Sequence, residues 1–167
     1  MIRPLVSPEA ASEACASLID LLPDWFGIPS SNAAYVAGVA ECTCLGAFDP
    51  SCACIGLVAL RPHFGTTLEI WWMGVAPGRH RQGIGARLMA AAKDEAIRLG
   101  CDTMVLMTLG EESDDPGYAA TRLFYQAQGF RPLVHDHMGD PECPLIWMIH
   151  QVDQAAKPRL LHTRATR

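Results

Sequence analysis

The stretch VAPGRHRQGIGARL, residues 75–88, has the composition of a site that binds an anion. Pro77 does not fit the interior of a strand or a helix, and Gly83 and Gly85 are poor helix formers, so a turn precedes a helix that begins near Ile84. A glycine-rich turn at a helix start presents unpaired backbone N–H groups at the positive end of the helix dipole. The pattern therefore predicts an anion site and leaves the identity of the anion open.

The charge of the chain argues against a nucleic acid as partner. The 167 residues carry a formal net charge of −5, and without residues 153–167 they include 9 basic and 17 acidic residues. Nucleic acid binding needs a basic stripe, whereas an acidic body suits a cationic small substrate. We see no signal peptide and no apolar run near the roughly 18 residues of a membrane span, so we expect a cytoplasmic protein without a membrane partner.

The elements that must position the turn are a mixture of strands and helices. Hydrophobic periodicity and turn residues predict strands at Ile2–Val6, Cys42–Phe48, Cys52–Leu60, Thr66–Val75, Thr103–Leu109, Phe130–Val134 and Leu145–His150. Helices are predicted from Ser7 or Ser12 to about Leu22, from Ser30 or Ser31 to about Val39, at Ile84–Leu99 and at Tyr118–Gln128. This order predicts a mixed α/β sheet of six or seven strands with helices on both faces. We expect one domain over residues 1–152 and a flexible tail over 153–167.

Two sets of side chains raise the question of a metal site. Cys42 and Cys44, and likewise Cys52 and Cys54, are separated by one residue, whereas zinc ligands in a knuckle are usually separated by two to four. We expect reduced thiols that pack as small apolar groups. His135 and His137 could be ligands, but such a pair without a third partner is usually a surface feature. The sequence therefore predicts no metal.

Three blocks of the sequence occur in the order found in a known enzyme family. Val75-x-Pro77 is followed by His80-Arg-Gln-Gly83-Ile-Gly85, and later by Phe124-Tyr125-x-x-x-Gly129-Phe130. This ordered set resembles the GNAT superfamily of acetyl-CoA-dependent N-acetyltransferases, over about residues 1–150. The resemblance implies a central, mostly antiparallel sheet. It also implies direct transfer of an acetyl group from acetyl-CoA to a primary amine in a ternary complex.

The resemblance implies that the anion is the pyrophosphate of coenzyme A. Backbone N–H groups in the turn would hold it, the glycines would let it approach closely, and the arginines of the stretch would add charge. His80 stands where the family usually has Arg or Gln, and Tyr118 stands where it often has Asn. The residues implied to bind the cofactor are Met73, Gly74, Val75, His80, Arg81, Gln82, Gly83, Ile84, Gly85, Ala86, Tyr118, Thr121 and Phe124.

Two side chains are candidates for proton transfer. An alkylamine with a pKa of about 10.4 is almost wholly protonated at neutral pH, so a base must take its proton. Glu69 resembles the glutamate that is the general base in histone acetyltransferases of the superfamily, although other members use water chains. Tyr125 resembles the tyrosine that lies near the thioester sulfur and would protonate the leaving thiolate. The structural alternatives are a strand-edge or hydrogen-bonded carboxylate for Glu69 and a packed aromatic for Tyr125.

Aromatic and acidic residues are candidates for the acceptor site. Trp25 and Phe26 lie in a loop bounded by prolines and form either a hydrophobic plug or a wall of the acceptor pocket. We also assign Trp72 to acceptor binding. An acidic loop either attracts a cationic acceptor or is simply solvated, and it contains Glu111, Glu112, Asp114 and Asp115. The acceptor is expected to be a small-molecule amine or a peptide amine. The sequence leaves undecided whether the protein forms a homodimer.

Two other functions compete with the enzyme. A non-catalytic acyl-CoA-binding sensor or partner module on the same fold would keep the turn and would not need Glu69 near the thioester. A nucleotide-binding protein would need the Gly-Lys-Ser/Thr ending that phosphates and Mg²⁺ require, and the turn lacks it. We therefore predict an N-acetyltransferase, with the acyl-CoA-binding module as the alternative.

Overall fold

The structure is a computed structural model that describes residues 1–136 and 144–153. The strands are β1 (Ile2–Leu5), β2 (Thr43–Phe48), β3 (Cys54–His63), β4 (Thr67–Val75), β5 (Thr103–Leu109), β6 (Arg131–His135) and β7 (Leu145–Gln151). The helices are α1 (Pro8–Asp20), α2 (Pro29–Val39), α3 (Ile84–Leu99) and α4 (Pro116–Ala127). His137 and, apart from Asp153, the tail predicted over 153–167 lie outside the described residues.

The seven strands form one sheet in the order β1-β2-β3-β4-β5-β7-β6. The neighbours β4 and β5, which α3 connects, run parallel. The other five neighbouring pairs are antiparallel. The prediction of a mixed, mostly antiparallel sheet is therefore confirmed. No helix in the described part of the chain combines the length and the apolar character that crossing a bilayer requires.

The helices cover both faces of this sheet, as predicted. Side chains alternate along β3, so that Val58 and Leu60 pack in the layer of α3 and α4, whereas Leu57 and Ala59 pack in the layer of α1 and α2. A strand that is apolar on both faces lies in the middle of a sandwich of helices. The central strands β3 and β4 are therefore held from both sides, and these strands position the site.

Several element boundaries differ from the predicted ones, for local reasons. Helix α4 begins at Pro116 rather than Tyr118, because Asp115 caps it by accepting a hydrogen bond from the Tyr118 backbone N–H at 3.0 Å. Strand β3 begins at Cys54 and continues to His63, past the predicted end at Leu60. Helix α2 starts at a proline in its first turn. The extension of β3 matters most, because it places new side chains beside β4.

Candidate active site

A gap opens in the middle of the sheet between β4 and β5. The parallel ladder between them ends where Ile70 lies opposite Leu106. Beyond that point β4 pairs with β3, and the last residues of β5 pair with β7. Among the described residues, the far end of β4 thus has no strand partner on its β5 side. Unpaired backbone groups need hydrogen-bond partners, so this edge can bind an extended ligand through the backbone of Met73 and the N–H of Val75.

A β-bulge in β4 lies at the start of the gap. Ala59 lies opposite Trp72 and Leu60 lies opposite Ile70, so Trp71 is the extra residue. As a result both tryptophans pack on the face that α1 and α2 cover. A bulge redirects side chains and increases the local twist of a strand, which accounts for the separation of β4 from β5 just after it.

The turn between β4 and α3 leaves the start of the helix open. Arg81 and Gly83 have φ angles of +58° and +73°, in the left-handed region. A Cβ at Gly83 would meet only the tip of Arg87, at 3.9 Å, so the backbone conformation favours glycine there and crowding does not. No described side chain caps α3, and the N–H groups from Ile84 to Ala86 have no partner in the helix. The turn therefore has the free donors that an anion site requires.

Gly85 has a packing reason to be glycine. A Cβ at this position would lie 3.3 Å from the Phe124 ring and 3.7 Å from Cε of Met73. Helix α3, helix α4 and the end of β4 therefore meet closely at Gly85. Close approach of the ligand is the reason that the sequence predicts for this glycine, and the structure adds the contact with Phe124.

Trp25 connects the turn to α4. The imidazole of His80 closes the turn by donating from Nε2 to the Val75 carbonyl at 2.7 Å, and the Trp25 ring meets it edge-on at 5.9 Å between centroids. On the other side, Trp25 Nε1 donates to Oγ1 of Thr121 at 3.3 Å, and its carbonyl accepts from the Tyr118 hydroxyl at 2.7 Å. Three residues predicted to bind the cofactor thus contact Trp25, which we had assigned to the acceptor.

Glu69 lies at the gap, in the last part of the ladder between β4 and β5. Its neighbours Leu68 and Ile70 belong to the core layer of α3 and α4, so the Glu69 side chain lies on the opposite face, toward α1 and α2. Because β4 is a central strand, Glu69 is not a carboxylate at a sheet edge. Its side chain is 9% exposed, and Oε2 lies 2.6 Å from Nε2 of His63, which is 37% exposed.

His63 is a residue that the sequence argument missed. We had ended β3 at Leu60, and this left the pairing of β3 with β4 near the hairpin tip unknown. In the structure His63 lies opposite Thr67 and Arg61 lies opposite Glu69, so all four side chains share one face. The available signal was an imidazole and a carboxylate on two strands joined by a short hairpin.

Tyr125 lies on the other face of the sheet. It is 9% exposed, and its ring packs 5.4 Å from Phe124 and 6.0 Å from Phe130. Burial raises the pKa of Tyr125 well above its usual value, and the nearby Tyr118 adds to the effect. The phenol therefore stays protonated through the neutral range and is available as a hydrogen-bond donor. Glu69 and Tyr125 thus lie on opposite sides of the sheet that the gap divides.

An aromatic cluster lies on the face of α1 and α2. Phe26 packs with its ring 5.4 Å from Trp72 and 5.9 Å from Tyr35, and Tyr35 lies 6.2 Å from Trp71. Asn32 fixes this loop by donating from Nδ2 to the Phe26 carbonyl at 2.8 Å. Trp72 is 3% exposed, so it belongs mainly to the core, and Phe26 is the half-buried member next to it.

The acidic loop is partly structural. Asp115 caps α4, and Oε1 of Glu112 lies 3.2 Å from Nδ1 of His135, with both side chains about half exposed. Arg122 donates to the carbonyls of Leu109 and Gly110, at 3.0 and 2.7 Å, which fixes the end of β5 where the loop begins. Two of the four acidic residues thus have partners within the fold.

Comparison with known proteins identifies the architecture. Residues 39–132 match the acetyltransferase (GNAT) domain family. A protein assigned to the GNAT acetyltransferase family from Desulfovibrio desulfuricans superposes with a TM-score of 0.76 at 19% identity, over 92% of this chain and 99% of that one. An aminoglycoside 6'-N-acetyltransferase complexed with coenzyme A gives 0.68 at 19% identity, over 95% and 99%.

A third similar structure is an Escherichia coli N-acetyltransferase for the alanine of a ribosomal protein. It gives a TM-score of 0.68 at 15% identity, over 97% of this chain and 98% of that one. No curated protein sequence matches the chain significantly. The divided sheet, the open turn before α3 and these similarities define an acyltransferase. The chain belongs to the GNAT family of acetyltransferases.

Proposed function

We propose that the protein transfers an acetyl group from acetyl-CoA to a primary amine, directly and in a ternary complex. The observation that carries this proposal is the gap between β4 and β5. On one side it continues to the open turn before α3, and on the other it reaches Glu69. A cofactor arm lying in the gap would place its thioester between the Glu69 face and the Tyr125 face.

The turn suits the pyrophosphate of coenzyme A. Backbone N–H groups from Arg81 to Ala86 would bind it, and the side chains of Arg81 and Arg87 are exposed nearby. Arg79 is partly engaged, because its Nη2 lies 3.4 Å from the Asp49 carboxylate. The unpaired edge of β4 would bind the amides of the pantetheine arm as a neighbouring strand would. The similar fold of an enzyme complexed with coenzyme A supports this placement.

Glu69 would act as the base. At pH 7 about one alkylamine molecule in a thousand is neutral, which corresponds to roughly 4 to 5 kcal/mol that the site must supply. An amine that approaches from the α1 and α2 face meets Glu69 at the gap. The amine proton moves to the carboxylate, the nitrogen lone pair attacks the thioester carbonyl, and the thiolate leaves toward the opposite face.

Tyr125 would stabilise the thiolate by a hydrogen bond. A thiol has a pKa of about 8.5, whereas burial raises the pKa of the Tyr125 phenol above its usual value. Complete proton transfer from the phenol to the thiolate is therefore uphill. Donation of a hydrogen bond to the developing charge needs no such transfer and lowers the barrier. This role refines the acid that the sequence argument expected.

The acceptor would be a small-molecule or peptide amine. Two proteins of similar fold act on an aminoglycoside and on the alanine of a ribosomal protein, which are amines of these two kinds. Phe26 is a half-buried aromatic residue on the side from which the amine would enter. The exposed carboxylates of the acidic loop would attract a cationic amine over a longer range.

Thiol release from acetyl-CoA tests the proposal, with an aminoglycoside, a polyamine and a peptide that begins with alanine as acceptors. We expect Glu69→Gln to lower kcat by about 100-fold or more at neutral pH, with a smaller loss at high pH and an unchanged CoA Kd. The matched control is Glu95→Gln, which removes a largely buried carboxylate that is paired with the exposed Arg98 on α3. Full activity of Glu69→Gln would move the base elsewhere. CoA binding without thiol release for any amine would favour the non-catalytic acyl-CoA-binding module.

A further inference from the structure

The carboxylate of Glu69 is buried with one side-chain partner. Its side chain is 9% exposed, and the hydrogen bond to His63 is the one that its carboxylate makes within residues 1–136 and 144–153. A buried carboxylate is costly unless hydrogen bonds replace the lost water. The state and orientation of Glu69 therefore depend on His63.

The short contact fixes the position of one proton. Two lone pairs cannot face each other at the 2.6 Å that separates Nε2 of His63 from Oε2 of Glu69, so a proton lies between them. If Glu69 is ionised, as a base must be, His63 carries that proton on Nε2 and donates it. Oε2 is then occupied, and Oε1 is the oxygen that remains to accept a proton from an amine.

The other charged groups nearby do not replace His63. Arg61 lies directly opposite Glu69, but its guanidinium lies over the Trp71 ring, 3.8 Å from the centroid. Cys42 lies near Glu69 in the segment that joins α2 to β2, and burial raises the pKa of its thiol, which keeps it neutral at physiological pH. The contact that orients the Glu69 carboxylate is the one with the imidazole.

We propose that His63 is a positioning residue for the base. Its Nε2–H holds Oε2 of Glu69 by a hydrogen bond, so that Oε1 faces the acceptor amine. In each turnover the amine proton moves to Oε1 and then to solvent, while the imidazole keeps its own proton on Nε2. This inference rests on the proposed role of Glu69 as base.

Two substitutions at His63 and a neighbouring control test this role. In His63→Leu we expect kcat/KM to fall by about tenfold or more, because the buried carboxylate loses its donor. For the same reason we expect the acid limb of the pH–rate profile to move to higher pH. His63→Gln keeps an N–H donor at similar reach and should restore both. The control is Phe64→Asn in the same hairpin tip, where the side chain is 100% exposed and φ is +51°. Thermal melts of each variant check folding.

The outcomes separate this inference from the proposed function. An acid limb in His63→Leu equal to that of the wild type overturns the inference, even if Glu69→Gln is inactive. Equal losses in the leucine and glutamine variants also overturn it, because they show a packing role. Long-range ¹H–¹⁵N NMR of the His63 ring, assigned with His63→Gln, needs no turnover. We expect the Nε2–H form, with a changed signal in Glu69→Gln, and an Nδ1–H form would overturn the inference even if no amine were acetylated.

Discussion

Replacing Gly83 by aspartate should greatly weaken the binding of coenzyme A while the protein stays folded. A Cβ at this position meets only Nη1 of Arg87, at 3.9 Å, so a larger side chain has room. The φ of +73° costs a residue with a side chain about 1 to 2 kcal/mol, and Asn and Asp tolerate it best. For a domain of this size we expect the Tm to fall by a few degrees.

The loss of affinity follows from the charge of the new carboxylate. At an effective dielectric constant of about 20, a carboxylate about 6 Å from one phosphate charge costs about 3 kcal/mol. This energy corresponds to a roughly hundredfold weaker Kd, and a second phosphate charge would add to it. Gly83→Asn is the matched control, because it has the same shape and the same backbone preference without the charge.

Calorimetry with coenzyme A measures both variants. The difference in Kd between Gly83→Asp and Gly83→Asn should be about hundredfold at low salt and should shrink as salt screens the charges. A Gly83→Asp affinity within threefold of the wild type would refute the reasoning and place the phosphates away from this turn. A Gly83→Asn variant as weak as Gly83→Asp would assign the loss to shape.

Three further predictions concern ligand binding, the tyrosine and the buried thiols. Coenzyme A at 100 times its Kd should stabilise the fold by about 2.7 kcal/mol, and an unchanged Tm at millimolar coenzyme A would contradict binding. Tyr125→Phe should lower kcat about tenfold to hundredfold with little change in the CoA Kd. An unchanged kcat would contradict the proposed hydrogen bond from Tyr125 to the leaving thiolate. Burial raises the pKa of Cys15 and Cys44 to about 12, from 9.0 for a free thiol. The free energy of unfolding should therefore keep its full value below about pH 9. Above that pH it should fall by up to about 1.4 kcal/mol per pH unit for each thiol. Urea unfolding across this range measures the slope, which Cys44→Ala should reduce.

The parts of the fold that the sequence predicted are those with local signals. A proline and two glycines fixed the turn before α3, and Gly100, with a φ of +78°, ended that helix where expected. The order of strands and helices was enough to predict a mixed sheet covered on both faces. Each of these signals lies within a few residues of the feature that it determines.

The parts that could not be predicted depend on contacts between distant segments. The bulge at Trp71 and the end of the ladder at Ile70 are properties of strand pairing, and no residue type marks them. The contact of Trp25 with Thr121 joins residues 96 positions apart. His63 was missed because the predicted strand ends at Leu60, whereas β3 continues to His63 and Pro62 lies within it, opposite Leu68.

The adjacent residues Trp25 and Phe26 connect the proposed cofactor side of the site to the proposed acceptor side. Trp25 rests on His80 and α4, where the cofactor is proposed to bind, whereas Phe26 rests on Trp72 and Tyr35, on the side proposed for the acceptor. A shift of one residue moves the other, because one peptide bond joins them. If cofactor binding displaces Trp25 and with it Phe26, it changes the free energy of binding on the acceptor side, and by thermodynamic reciprocity the acceptor then changes the affinity for the cofactor by the same factor.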